Sequence, residues 1–426
     1  MNYTALSLSQ TPPPSVPLPY FLLTPLFAAT AALLLLLEGP QALATRWSPT
    51  MLALTHLMTI GVLGTTMLGA LQQLVPVLVG VPLPAQRPVA WGLFLLWLAG
   101  SVLLISAMAA GWPTLLRFGG GALTLAVAVL TALVLRSVWR SSSRHATVRA
   151  MGLAVIGFAI AVTIALYLLL RFAGQLPLAH PLTTLHIGWA SLGWLFLLLT
   201  GVAYQVVPMF QITPEYPAQL RRWLAPVMVL LLLLWSLQHW WPGFSLLGWS
   251  LAAGVALFAL QTLRLQTKRR RRLNDVTLDF WRLAMISLLL AVVAWAAGQL
   301  FPSSPGLELA LGLLFFVGFA LSAVNGMLYK IVPFLIWLHL NNRLQQAGSW
   351  QGRVPNMKQV IPERPARRQF YLHLAALALL LVALYLPGMV LQAAAVVWLL
   401  SSLSLGWNLL QALRLYWRIS ANLREG

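Results

Sequence analysis

The chain has 426 residues, of which 60% are hydrophobic and only 8% are charged, too few charges to cover a soluble protein of this length. Its 27 Lys and Arg outnumber 7 Asp and Glu, but they lie between apolar segments, which favours basic membrane loops and excludes a nucleic-acid partner. The absence of cysteine excludes disulfides, thiolate metal sites, iron–sulfur clusters and covalently attached haem.

A short tail and four apolar segments begin the chain. Residues 1–19 lack the Lys or Arg that starts a secretory signal peptide, so they are predicted to form an N-terminal cytoplasmic tail. About 20 apolar residues are needed to cross a bilayer, and the next four segments satisfy this criterion. These predicted spans cover residues 20–37, 51–77, 89–109 and 118–135. Residues 20–136 are therefore predicted to form a first four-helix unit.

The same criterion predicts two more units of four spans. In the second unit, residues 150–264, the spans cover residues 150–170, 184–210, 224–241 and 244–263. A basic cytoplasmic loop, residues 265–279, precedes the third unit, residues 280–413. Its spans cover residues 280–300, 307–338, 370–385 and 389–413, with a cytoplasmic loop at 339–369 and a C-terminal tail at 414–426. The predicted fold is all-α and integral to the membrane, with about twelve helices in three pseudo-symmetric units.

Basic residues are distributed unequally between alternate loops. With twelve spans, 23 of the 27 Lys and Arg lie on the side of both termini, 3 lie on the other side, and Lys330 lies within a span. Loops rich in Lys and Arg remain in the cytoplasm. The sequence therefore predicts a multi-pass protein of a bacterial inner membrane, with both termini in the cytoplasm and the lipid bilayer as its surroundings.

The second, sixth and tenth spans share a signature of two glycines eight residues apart, followed by a valine–proline pair. Its members are Gly61, Gly69 and Pro76, then Gly193, Gly201 and Pro208, then Gly318, Gly326 and Pro333. Internal symmetry of this kind indicates repeated helical units. Two interpretations remain open: close helix packing with a kink or break at the proline, or three related crevices that accept a flat cofactor.

A polar layer follows the second glycine of each signature span. It comprises Gln72, Gln73, Tyr204, Gln205, Asn325, Tyr329 and Lys330. Polar groups within a span are costly, so the layer predicts a hydrated cavity where the three helices converge, unless Lys330 extends to the nearer membrane surface. Because the middle of every predicted span lacks Asp and Glu, a cation-coupled transporter is disfavoured.

Four of the seven histidines are predicted to lie toward the outer surface. His56 and His186 begin the second and sixth spans, while His180 and His239 lie in or near outer loops. Neutral imidazole is the usual axial ligand of b-type haem, and clustered histidines also bind copper. The alternative is an interfacial histidine bonded to backbone or water. His145, His339 and His373 are predicted to be structural or interfacial residues of the cytoplasmic side.

Twelve spans in three arcs, cytoplasmic termini and the motif Thr55-His56-Leu57 with Gly61 resemble subunit I of the heme-copper oxidase superfamily, as does the stretch 186–208. That superfamily includes the nitric oxide reductases. The resemblance implies a haem b site with His56 and His186 as leading ligands, and copper near His180 and His239 as a second expectation. However, the family's histidines on the tenth span and its paired copper ligands on the seventh are absent.

This pattern implies a degenerate relative rather than an oxygen-reducing oxidase. Its expected role is redox chemistry, nitric oxide or oxygen handling, or a stress response, with an electron-transfer or oxidase subunit as partner. The alternative is a non-redox protein, either a permease that uses the polar layer or an assembly or scaffold protein of respiratory complexes.

Overall fold

The computed structural model of the chain is 89% helical, and the residues that it describes contain no strand. Because the chain is too apolar for water, helices that satisfy their own backbone hydrogen bonds are the expected solution. The structure describes residue 7 and residues 10–81, 83–84, 86–141, 145–172, 180–238, 246–270, 274–301, 305–347 and 354–425.

Twelve helices in the described residues are long and apolar enough to cross a membrane, which confirms the predicted number. They are Leu18–Leu43, Pro49–Val79, Arg87–Ala110, Pro113–Arg140, Ala146–Arg171, Pro181–Gln211, Ala218–Gln238, Leu246–Thr267, Val276–Leu300, Gly306–Gln345, Glu363–Ala383 and Met389–Ala421. Each coincides with one predicted span. Several extend beyond the apolar core, because polar and basic residues continue the helix; the eleventh begins at Glu363, seven residues earlier than predicted. The chain is a multi-pass membrane protein.

The helices divide between two compact units. The first contains Met1–Pro12, Leu71–Arg272 and Leu288–Leu307, and in it the fifth span packs against the fourth, sixth and seventh. The second contains Pro13–Ala70, Leu273–Ser287 and Glu308–Gly426, and in it the twelfth span packs against the first, tenth and eleventh. The boundaries of the three four-helix units stay a prediction.

Each of the three signature spans contains a π-helical segment. The segments are Leu57–Gly64, Trp189–Phe196 and Leu313–Leu321, and each includes the first signature glycine. All three return to α-helix, which continues past the proline of the signature rather than breaking there. Since π segments are rare and concentrate at functional sites, their recurrence marks these spans as specialised.

The signature glycines are in close contact with the span that precedes them. A Cβ added at Gly61 would lie 2.8 Å from Phe27 Cδ1, and one at Gly69 would lie 2.7 Å from Tyr20 Cβ. The equivalent contacts pair Gly193 with Gly157, Gly201 with Ala150, Gly318 with Ser287, and Gly326 with Phe280. In each of the three helix pairs, the two residues of the preceding span that contact the glycines are seven positions apart. The geometry therefore favours close packing as the role of these glycines.

Candidate functional site

His186 lies three residues before the π segment of the sixth span, and its half-buried ring reaches the fifth span. Nδ1 lies 3.0 Å from the backbone oxygen of Ala161. Because a carbonyl oxygen can only accept, Nδ1 donates, and a neutral ring then keeps its lone pair on Nε2. Histidine ligands of metals are held in this way, with the second nitrogen donating to a carbonyl or carboxylate.

Trp235 and Ser236 of the seventh span pack against one side of the helix that carries His186. A Cβ at Gly188 would lie 2.6 Å from Trp235 Cζ3, so this ring fills the space beside the glycine. The indole N–H of Trp189 donates to Ser236 Oγ at 2.9 Å. A flat ligand of His186 would therefore approach from another side of the helix.

Arg171 ends the fifth span of the same unit and is only 7% exposed. Its guanidinium lies over the Tyr167 ring, 5.3 Å from the centroid, while Nε and Nη1 have no hydrogen-bond partner among the described residues. A buried cation without acceptors is unfavourable, so these nitrogens fit an anionic group such as a carboxylate. Arg171 is one of the three basic residues predicted to lie on the outer side, and its burial was not predicted.

His56 directly precedes the π segment of the second span, in the other compact unit. Its Nδ1 lies 2.8 Å from the backbone oxygen of Leu52, one turn earlier in the same helix. This geometry again assigns the proton to Nδ1 and the lone pair of a neutral ring to Nε2. In both histidines Nδ1 therefore faces a backbone carbonyl. That carbonyl belongs to the same helix for His56 and to the neighbouring helix for His186.

The two remaining predicted outer histidines cannot be placed in a site. His239 lies outside the described residues, and for His180 only the backbone at the start of a helix is described. Within the described part of the chain, no group of three or more His, Asp or Glu side chains could hold a metal ion. The copper expectation stays a prediction.

The polar layer of the first unit comprises Gln72, Gln73, Tyr204 and Gln205. Gln72 and Gln73 are buried, and Gln73 Oε1 has no partner among the described residues. The Tyr204 hydroxyl donates to the Leu220 oxygen at 3.4 Å, and its ring packs edge-on against Tyr216, with 5.2 Å between centroids. Gln205 is half-buried. Tyr204 therefore contacts the connection to the seventh span and that span itself.

The polar layer of the second unit comprises Asn325, Tyr329 and Lys330. Tyr329 accepts a hydrogen bond from Asn408 Nδ2 at 3.0 Å, and Lys330 Nζ lies 2.9 Å from Asp275 Oδ2. The charge of Lys330 is therefore compensated by a carboxylate just before the ninth span. The sequence predicted a hydrated cavity or extension of Lys330 to the membrane surface but not this ion pair, because Asp275 is 55 positions away along the chain.

The second unit contains a buried polar cluster that was not predicted from the sequence. Ser322 Oγ lies 2.7 Å from His373 Nε2, and Gln369 Nε2 donates to Ser401 Oγ at 3.0 Å. His373 is 1% exposed and lies midway along its helix, because that helix begins at Glu363. Gln369 and His373 are four residues apart, so they lie on one face of the helix, and this spacing could have indicated the cluster.

No protein-family model and no curated protein matches this chain. The resemblance to heme-copper oxidases stays a prediction from the sequence.

Proposed function

We propose that this protein binds haem b within a fold like that of heme-copper oxidase subunit I. Its role would be redox chemistry, nitric oxide or oxygen handling, or a stress response, without complete oxygen reduction. The observation that carries the proposal is the orientation of the His186 ring, which Ala161 holds through Nδ1 so that Nε2 carries the lone pair.

Arg171 lies on the helix whose Ala161 contacts His186, and its charge is suited to the carboxylates of a haem. Ala161 lies ten residues before Arg171, which corresponds to about 15 Å along the fifth span at 1.5 Å per residue. Haem carries its propionates at one edge, and the unpartnered nitrogens of Arg171 are suited to a carboxylate. Bound haem would supply an iron that changes oxidation state or binds a small gas. The chain would orient the imidazole and compensate the propionate charge.

His56 is the second candidate ligand of the proposal. Its Nδ1 is bonded to a backbone carbonyl, as in His186, and it too lies at the outer end of a signature span. The proposal also includes copper near His180 and His239, as a second metal beside the haem iron. An electron-transfer protein or an oxidase subunit is the proposed partner, since a redox centre in a membrane needs an electron donor or acceptor.

The proposed architecture consists of three four-helix units with both termini in the cytoplasm of a bacterial cell. The recurrent π segments and the shared packing register of three helix pairs support the repeat. The 23 Lys and Arg on the side of the termini, against 3 on the other, support the orientation in the inner membrane.

A visible absorption spectrum of the full chain tests the proposal. The protein should be expressed with a haem precursor, purified in detergent and reduced with dithionite. A Soret band with sharp reduced α bands is expected, and His186→Ala should lose most of the bound haem. His145→Ala, an exposed histidine at the start of the fifth span, is the control and should retain it. A folded but colourless protein would refute haem binding, and unchanged haem in His186→Ala would refute the ligand assignment.

A non-redox membrane protein, either a permease or an assembly or scaffold protein of respiratory complexes, is the second candidate. The packing of all six signature glycines supports it, because helix contact alone then accounts for the repeat. A colourless, folded preparation would favour this candidate over the first.

A further inference from the structure

A small polar cavity lies inside the second compact unit. The first, tenth, eleventh and twelfth spans contribute its polar lining, which comprises Thr24, Asn325, Gln369, His373, Trp398, Ser401 and Ser402. Each of these side chains is at most 4% exposed. A chain that is 60% hydrophobic thus places seven polar or partly polar side chains around one buried space.

Four atoms of this lining lack a hydrogen-bond partner among the described residues. They are Asn325 Oδ1, Gln369 Oε1, His373 Nδ1 and Trp398 Nε1. Gln369 uses its other amide atom to contact Ser401, so reversing the amide would still leave one polar atom without a partner. Leaving a buried polar group unpaired costs about 1–3 kcal/mol, so four such atoms on residues that line one cavity favour a bound molecule there.

We propose that this cavity is a binding site for an internal water molecule that joins the four helices. The unpartnered atoms include two amide oxygens, which accept hydrogen bonds, and an indole N–H, which donates one. A cation would be repelled by the indole N–H and an anion by the amide oxygens. A small neutral molecule that both donates and accepts satisfies all of them.

The size of the cavity selects water among such molecules. The region that the centre of a water molecule can occupy measures about 10 Å³, which corresponds to about one water. The water has two hydrogens for the two amide oxygens, so His373 Nδ1 donates to it and Nε2 accepts from Ser322 Oγ. The water site is independent of haem binding, since none of its lining residues takes part in the proposed haem site.

A pair of nearly isosteric substitutions tests whether the cavity is wet. Asn325→Leu replaces an amide that makes no hydrogen bond to the described residues, so it should lower the melting temperature only if it removes a partner of bound water. Thr200→Val is the control, because the Thr200 hydroxyl is fully buried and unpartnered but does not line this cavity. It should leave the melting temperature unchanged or raise it. A rise or no change in Asn325→Leu would overturn the proposal.

Radiolytic labelling of the unsubstituted protein in ¹⁸O-water provides a second measurement if Asn325→Leu fails to fold. Hydroxyl radicals formed from bound water oxidise adjacent side chains, so Trp398 should be labelled several-fold faster than Trp97, which is similarly buried but does not line the cavity. Equal labelling of the two tryptophans would show a dry cavity and overturn the proposal.

Discussion

Lys330 Nζ lies 2.9 Å from Asp275 Oδ2, and this ion pair ties the tenth span to the start of the ninth. The two side chains are only 18% and 11% exposed. Asp275 Oδ1 also accepts a hydrogen bond from the Thr277 N–H at 3.0 Å, so the carboxylate caps the ninth helix while it neutralises the lysine. This ion pair explains how a charged lysine is tolerated within the polar layer.

Removal of either charge of this pair should destabilise the protein. Asp275→Asn keeps an oxygen to cap the helix, and Lys330→Met keeps most of the apolar stem, so each isolates the loss of charge. We expect each to lower the free energy of unfolding by roughly 1–3 kcal/mol, the cost of leaving a buried polar partner unpaired, since the remaining charge keeps some contact with solvent. The measurement is denaturant unfolding in detergent micelles.

The double variant Lys330→Met with Asp275→Asn is the control for that prediction. It leaves no uncompensated charge, so it should be more stable than the sum of the single effects implies. Additive losses would mean that the two groups do not interact.

Arg367 bridges two carboxylates at the same end of the second unit. Its Nη1 lies 2.9 Å from Asp279 Oδ2 and its Nη2 lies 2.7 Å from Glu363 Oε1, which also accepts the Val276 N–H. Lysine cannot reproduce this fork, so Arg367→Lys should lower the free energy of unfolding by about 1 kcal/mol. Arg368→Lys, at the exposed neighbouring position, should change it by less than about 0.5 kcal/mol. Equal effects in the two variants would contradict a specific bridge.

The sequence predicted the features that depend on local composition. Length and hydropathy gave all twelve helices, because a lipid environment leaves few alternatives to helix for an apolar segment. The spacing of Gly61, Gly69 and Pro76 and its two repetitions also identified three helices whose glycines pack closely against the preceding span.

The features that sequence could not predict depend on contacts distant along the chain. Asp275 pairs with Lys330 only because the ninth and tenth spans pack together, and His373 meets Ser322 for the same reason in the tenth and eleventh. The π segments also have no composition of their own, since Leu57–Gly64 is as apolar as an ordinary span. The ring orientation of His186 required the position of Ala161 on the neighbouring helix.

The close contact between the fifth and sixth spans should not tolerate a side chain at Gly157. A Cβ there would overlap the backbone oxygen of Gly193, which cannot move as a flexible side chain could. Gly157→Ala should therefore lower the free energy of unfolding by about 1–3 kcal/mol. Gly121→Ala is the control, because a Cβ at Gly121 meets nothing within 4 Å, and it should not destabilise the protein. A tolerated Gly157→Ala would contradict the packing register.

The proposed orientation can be tested by cysteine labelling, because the natural chain has no cysteine and each introduced thiol is unique. Thr114 is exposed at the start of the fourth span, at the end predicted to face the outside. Ala218 is exposed at the start of the seventh span, at the end predicted to face the cytoplasm. A membrane-impermeant maleimide should label Thr114→Cys in intact cells and Ala218→Cys only after permeabilisation. The reverse pattern would invert the protein in the membrane and place the proposed haem ligands on the cytoplasmic side.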